Sequence, residues 1–385
     1  LSLGTFFVLL PLTRYMHIPT ELFLIFMRNS GIKTGDRAGT FSEVEVHSCS
    51  SCGMCIDQCQ LNFSAGINTI QATYLMKAVR KNYDTRDIAY NCLMCGRCDE
   101  VCPVGIEISP IRMIERRNAE TGMKYTNIWK GYFRTRPVQP AVRQNLKNNY
   151  DFLPASNPEK TDILYFAGCM THLTPAIKNA MTSILDASGV RWSFIDENGG
   201  VCCGRPLMLA GQDKEARELI NYNSQLIWKS GAHTLVTSCP ICYKVFRESY
   251  YLDVEVLHHS QFIKRCIDDH SLKLNFMHKN VTYHTPCELG RNSGVYEEPK
   301  AVLRHVANLE PTGYDDEKSL CCGGSLGNIM LDQTDRRKIA SDVTKVLTKS
   351  HPDYLATACP LCKKTLAPVT ETRVADIAEI VAGAI

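Results

Sequence analysis

Two short cysteine runs carry the first chemical signal, Cys49-x2-Cys52-x2-Cys55-x3-Cys59 and Cys92-x2-Cys95-x2-Cys98-x3-Cys102-Pro103. Three thiolates at two-residue intervals wrap three corners of an iron-sulfur cube, and the fourth, displaced by a further turn, reaches the neighbouring cube. The spacing therefore assigns Cys49, Cys52, Cys55 and Cys102 to one 4Fe-4S cluster and Cys92, Cys95, Cys98 and Cys59 to a second. Structural zinc more often takes two Cys-x2-Cys pairs separated by a longer loop, so the crowding of thiols favours iron. Such cross-ligation forces two clusters close together, as an electron wire requires. Gln60 stands where the second run has Pro103, a departure expected to matter little to ligation.

Ten more cysteines form two sets of five, Cys169, Cys202, Cys203, Cys239 and Cys242, then Cys287, Cys321, Cys322, Cys359 and Cys362. Each set is a lone cysteine, an adjacent pair and a Cys-Pro-x-Cys. Five thiolates exceed what one tetrahedral zinc or one ordinary cube accepts. Side chains of adjacent residues point apart, so each pair suits two irons of an extended cluster. Two buried zinc sites are the alternative, which leaves the fifth cysteine of each set unexplained. Gly204, Gly323 and Gly324 allow close backbone approach or positive φ beside the pairs. Cys266 is left over and falls in an expected helix from Gln261 to Asp269, as a core thiol.

The elements that must position these residues repeat. The strand-like run Asp162 to Cys169 is echoed by Val281 to Cys287, Val201-Cys202-Cys203-Gly204 by Leu320-Cys321-Cys322-Gly323, and Thr234 to Cys242 by Tyr354 to Cys362, at shifts of 118, 119 and 120. Helical stretches, Asp213 to Lys229 and Asp332 to Lys349, lie between them and begin with an Asp suited to a helix N-terminus. Strands alternating with helices imply a mainly parallel α/β unit, occurring twice, with the cysteines at the carboxyl edges of the strands where ligands collect. Upstream, a helix is expected over Thr69 to Lys81, with Ile70, Tyr74, Met76 or Lys77 and Val79 as its apolar stripe, and another over Ile111 to Arg117 after Pro110.

The fold class is thus α+β multidomain: a small α-helical module followed by two repeated α/β units in a pseudo-two-fold relation. The expected divisions are an apolar N-terminal segment over 1–39, the helical two-cluster module over 40–122, a linker over 123–160 containing Pro137, Pro140, Pro154 and Pro158, and repeats over 161–280 and 281–385.

Composition narrows the function. The 385 residues include 19 cysteines, an odd number that cannot all pair as disulfides, and a chain this long needs no staples in place of a core. A reducing compartment follows. The net charge is +3, with no basic stripe of a nucleic-acid binder. No phosphate loop or Gly-x-Ser-x-Gly elbow occurs, and Gly323-Gly324-Ser325-Leu326-Gly327 fits no dinucleotide fingerprint, so it reads as a cluster loop.

The opening apolar residues, Leu1 to Leu12, are too few to cross a bilayer, which takes about 20. A second apolar run, Leu22 to Met27, ends at Arg28. No basic region precedes the apolar part, so a signal peptide is not expected. A surface helix is one reading. The favoured one is the cytoplasmic end of a transmembrane helix, with Arg14, His17 and Arg28 on the positive-inside face.

Joined to the paired ferredoxin motifs, the Cys-Cys-Gly repeats resemble the D-type heterodisulfide reductases, in which the C and B subunits are fused, over about residues 45 to 370. The resemblance implies CCG domains in which each complete five-cysteine set holds a noncubane 4Fe-4S cluster, and a pair of such clusters that reduces a disulfide by taking one thiol half each. All ten cysteines of the two sets would then be catalytic as well as metal-binding. The segment from Leu10 to Ile18 with Arg28 is also similar to the end of a cytochrome-b-like membrane domain fused to some relatives, which implies that His17 binds a haem b shared with that domain.

The function so implied is an iron-sulfur oxidoreductase at the cytoplasmic face of the inner membrane. It passes electrons through the cubane pair to or from the noncubane pair, linking a membrane cytochrome or quinone pool to a cytoplasmic redox carrier protein or a disulfide substrate. The alternative is a dedicated thiol-disulfide reductase with no direct quinone link. Cleaving a disulfide needs two protons, which makes His172, His258, His259 and His284 candidate donors, with a structural histidine as the plainer reading of each. Arg205 and Arg291 are candidate contacts for an anionic substrate.

Overall fold

The computed structural model describes residues 15, 17–32, 39–119, 161–197, 199, 201–324, 326 and 331–385. The run Leu1 to Leu12, Arg14, the prolines of the expected linker, Ser325 and Gly327 lie outside the described residues. The chain forms two compact units, one within Leu1–Thr121 together with Leu320–Val343, the other within Gly122–Ser319 together with Thr344–Ile385. The stretch Leu320–Val343, part of the second repeat by sequence, thus groups with the N-terminal module.

The first unit is built of short helices that start and stop around the cysteines. The two runs share one backbone course: φ is positive at Ser51 and Met94 (61° and 55°) and at Gly53 and Gly96 (90° and 74°), the same two places in each run. Left-handed residues beside successive cysteines curl the chain around its own thiols, and glycine takes such a conformation without Cβ strain. The helix expected over 69–81 is Ala72–Arg80, with Leu75 and Met76 fully buried and Tyr74 and Val79 only half-buried. That expected over 111–117 begins earlier, as Ile108–Asn118, because the Asp99 carboxylate accepts the N–H groups of Ile108 (2.7 Å) and Ser109 (3.3 Å) and the Ser109 hydroxyl (2.6 Å), capping it ahead of Pro110.

Helix His17–Asn29 buries Leu24 and Met27 against Thr40–Ser48, and Arg28 donates to the Val104 carbonyl (2.9 Å) and pairs with Glu45 (3.4 Å). Its other face exposes Ile18, Leu22, Phe23, Ile25 and Phe26. Among the described residues no helix is long and apolar enough to cross a membrane.

The second unit holds two parallel four-stranded sheets. In the first, β1 (Ile163–Phe166) lies between β2 (Trp192–Phe194) and β3 (Thr234–Thr237), with β4 (Glu255–His258) outside β3. The second repeats that order with β5 (Asn280–His284) between β6 (Asn308–Glu310) and β7 (Tyr354–Thr357), then β8 (Arg373–Asp376). Central strands β1, β3, β5 and β7 are almost wholly buried on both faces, as parallel strands covered by helices must be. Helix Pro175–Ala187 packs on Ile377–Ala382, and His259–Asp268 on Glu297–Val306, so Met181, Ile184, Ile263, Val302 and Val381 belong to one core shared by both repeats. Cys266, 2% exposed, sits in that core within helix His259–Asp268.

Candidate metal centres

In the first unit, Cys49, Cys52, Cys55 and Cys102 line a single pocket, closed by Ala72, Met76, Ile106 and Ile108. Burial pushes the Cys55 and Cys102 thiols up, while backbone N–H groups aimed at the sulfurs, from Thr73 at Cys55 and from Ile106, Val104 and Gly105 at Cys102, pull them back. The second group forms from Cys59, Cys92, Cys95 and Cys98. Burial, then the neighbouring Cys95 and Cys92, raises Cys59 to about 11, and burial with Asp99 and Cys92 drives Cys98 well up. Met94 N–H donates to the Cys92 sulfur at 3.3 Å.

Buried thiols that are pushed up, as Cys55, Cys59, Cys98 and Cys102 are, suit a cationic inorganic core whose charge reverses that balance. Among the described residues, no three His, Cys, Asp or Glu side chains are grouped as a single ion requires.

The five cysteines of the first repeat converge. Sulfur contacts run in one continuous chain, Cys169 to Cys202 to Cys203 to Cys242 to Cys239. All five are buried. Cys203, second of the pair, accepts from Cys202 and Cys242, contacts that hold it well below the usual thiol range. Cys169 follows β1 in the short helix Gly168–His172, and Gly168 (φ +77°) lets the backbone pass so close that a Cβ there would lie 3.0 Å from the Cys242 sulfur. Cys239, extended, lies two residues past β3, Pro240 opens the next helix, and Cys242 lies in its first turn. The contacts with Cys203 and Cys239, and then burial, push the Cys242 thiol well up.

Cys359 and Cys362 stand in the same way at the head of helix Pro360–Leu366, after β7, and Cys287 follows β5. The buried Tyr283 faces Cys362 and Cys359. Cys321 and Cys322, also buried, lie in the stretch that belongs to the first unit.

Three residues that sequence reasoning passed over hold the cysteine pairs. Asn223 donates to the Cys202 carbonyl (2.8 Å) and Tyr250 to that of Cys203 (3.1 Å). Gln60 does the same for Cys321. A fully buried Asn in the middle of helix Asp213–Ser230 was the available signal, because Asn is disfavoured there without a partner.

The histidines divide. His172 Nε2 lies 3.2 Å from the Asp196 carboxylate, which also accepts the N–H groups of Ala167 and Gly168, at 2.8 Å each, so it braces the turn before Cys169. His258, His259 and His284 are at most 1% exposed and part of the interior, where the structural reading fits them. Arg205 pairs with Glu288 at 3.8 Å, and Arg291 donates to the Ser319 carbonyl and hydroxyl at 2.7 and 2.6 Å.

Comparison with known proteins agrees with this layout. Residues 163–247 and 281–367 match the cysteine-rich domain family CCG, and residues 45–106 match the 4Fe-4S dicluster domain. The chain is 27% identical over 362 residues to the D subunit of the dihydromethanophenazine:CoB--CoM heterodisulfide reductase of Methanosarcina barkeri, covering 89% of this chain and 78% of that protein. It is 26% identical to the B subunit of the fumarate reductase (CoM/CoB) of Methanothermobacter marburgensis, over 83% of this chain and 67% of that one. With the EtfAB:quinone oxidoreductase of Syntrophomonas wolfei it shares 25% identity, over 76% of this chain and 46% of the relative.

Proposed function

We propose that this iron-sulfur oxidoreductase, a 4Fe-4S dicluster domain followed by two CCG domains, works as the D-type heterodisulfide reductases to which it is related do. Cys49, Cys52, Cys55 and Cys102 hold one cubane 4Fe-4S cluster and Cys59, Cys92, Cys95 and Cys98 the other. Each five-cysteine set holds a noncubane cluster. With those groups bound, the chain would carry electrons between a membrane cytochrome or quinone pool and a cytoplasmic carrier or disulfide substrate. Iron-sulfur centres, when bound, supply one-electron storage at potentials set by their surroundings.

The observation that carries this reading is the unbroken chain of five sulfurs in the first repeat. The residues around them exclude water, aim N–H groups at sulfur and fix the backbone on either side. His172, held 3.2 Å from Asp196 beside the turn that carries Cys169, is the side chain placed to give a proton to a departing thiolate. A disulfide takes two electrons and two protons to give two thiols, so a second proton must come from solvent or substrate.

A membrane partner is supported by the exposed apolar face of helix His17–Asn29. His17 is the only haem ligand the reading offers, at the first residue of that helix, so a haem b would be held chiefly by the partner. The second reading, a dedicated disulfide reductase without a quinone link, draws on the completeness of both five-cysteine sets.

Iron and acid-labile sulfide on anaerobic protein should each reach about sixteen per chain. Adding thiol to the oxidised protein should then produce a new paramagnetic signal. If quinone analogues alone perturb the spectrum, the disulfide arm falls and the relay remains; zinc in the CCG sets would end both.

A further inference from the structure

The two CCG repeats hold their cysteine pairs by different means. In the first, the Cys202 carbonyl is satisfied from within the repeat, by Asn223 at 2.8 Å. In the second, the corresponding carbonyl is that of Cys321, and its partner comes from 261 positions away: Gln60 Nε2 donates to the Cys321 carbonyl at 2.9 Å while Gln60 Oε1 accepts the Cys321 N–H at 2.6 Å. Both residues are buried, at 1% and 0% exposure, and both lie in the first unit.

The sequence supplies a reason for the exchange. The position in the second repeat equivalent to Asn223 is Asp342, whose carboxylate has no N–H to give a carbonyl. A primary amide that engages both the N–H and the C=O of one residue makes a two-point bond, fixed in rotation as well as distance. Gln60 also follows directly on Cys59, a thiol of the second ferredoxin-like set. One side chain therefore ties a residue adjoining one set of thiols to the backbone of a cysteine in another.

We propose that Gln60 is the residue that couples the ferredoxin-like module to the CCG repeats, and that electrons enter at the second repeat, through Cys321, before the first. Each transfer removes one electron from the donor centre and adds one to the acceptor, with no proton or third reactant. The inference rests on the function proposed above. Gln60 is a positioning residue: it fixes the separation and orientation of the Cys59 and Cys321 backbones.

The test uses the full iron-loaded chain with Gln60→Met, which keeps the length and removes both bonds, and Gln60→Glu, which keeps only the acceptor. Iron and sulfide are counted first, the cubane potentials are titrated by paramagnetic resonance, and the appearance of reduced CCG centres is followed by rapid freezing after mixing with dithionite. The Met variant should keep its iron and its cubane potentials but fill the CCG centres about tenfold more slowly, equal to about 1.4 kcal/mol of barrier, with a smaller loss for Glu. A wild-type filling rate in iron-replete Gln60→Met overturns the proposal.

Should Gln60→Met lose iron, the order of filling decides instead. Cys287→Ser should stop electrons reaching the first set, whereas Cys169→Ser should leave arrival at the second set at its normal rate; the opposite pattern overturns the proposal. Failure of the underlying function is separate, because it appears in the wild type as missing CCG signals and an iron count well short of about sixteen.

Discussion

His259 Nε2 and Asp376 Oδ1 lie 2.9 Å apart with both side chains fully buried, and the two residues come from opposite halves of the repeated sequence. Asp376 also accepts the Ala378 N–H at 2.9 Å and so caps helix Ile377–Ala382. Its counterpart in the first half is His258, which caps helix His259–Asp268 through Nδ1. The cap of one helix thus meets the first residue of the equivalent helix in the core that joins the repeats.

Breaking such a pair leaves a buried polar group without its hydrogen-bond partner, which costs about 1–3 kcal/mol. Asp376→Ala should lower the unfolding free energy by that amount, and Asp376→Asn, which keeps a cap and a hydrogen-bond partner, by clearly less. A double-mutant cycle with His259→Ala measures the coupling; a value near zero would show the two side chains to be independent.

His258 predicts an acid limit to stability. Burial, and then His259, holds its imidazole well below the usual 6.5, so beneath that pH the folded chain binds fewer protons than the unfolded one. Its contribution is complete above pH 6.5 and is lost as pH falls toward the depressed value, by up to about 1.4 kcal/mol per unit. In His258→Asn, which can still cap the helix, the unfolding midpoint should fall less between pH 7 and 5 than in the wild type. Parallel curves would remove His258 as the source.

Gly168→Ala should damage the first five-cysteine set selectively. The new methyl would meet the Cys242 sulfur at 3.0 Å in a backbone conformation that alanine resists. The expected outcome is a loss of about four irons per chain with the ferredoxin-type signals intact. Full iron content in the variant would show that the turn yields without cost to the site.

Leu22→Glu with Phe26→Glu tests the apolar face of helix His17–Asn29, on which these side chains are 66% and 67% exposed. If that face meets a membrane or a membrane partner, the double variant should stay in solution in a vesicle-flotation assay where the parent chain floats, with unchanged unfolding. Equal flotation would place the attachment elsewhere.

Much of this arrangement is legible in the sequence, for identifiable physical reasons. Three thiols of each run group by their close spacing, a local property, while Cys102 and Cys59 cross to the other run's group. The shifts of 118 to 120 foretell two equivalent parallel sheets, since strand, turn and helix recur together. What stays hidden is long-range and polar. Asp99 starts its helix early by reaching Ile108 and Ser109, and Asp196 braces the Cys169 turn from another strand's end. Gln60 reads as a minor departure beside Cys59, and nothing within its own neighbourhood shows the carbonyl it serves.

The matched left-handed positions, Ser51 with Met94 and Gly53 with Gly96, make the small module a doubled object in its own right, as the CCG half is. Doubling alone produces interchangeable copies, and interchangeable copies have no entrance and no exit. Direction needs a place where the twins cease to be alike, and in the larger pair one such place is the exchange of Asn223 for Asp342.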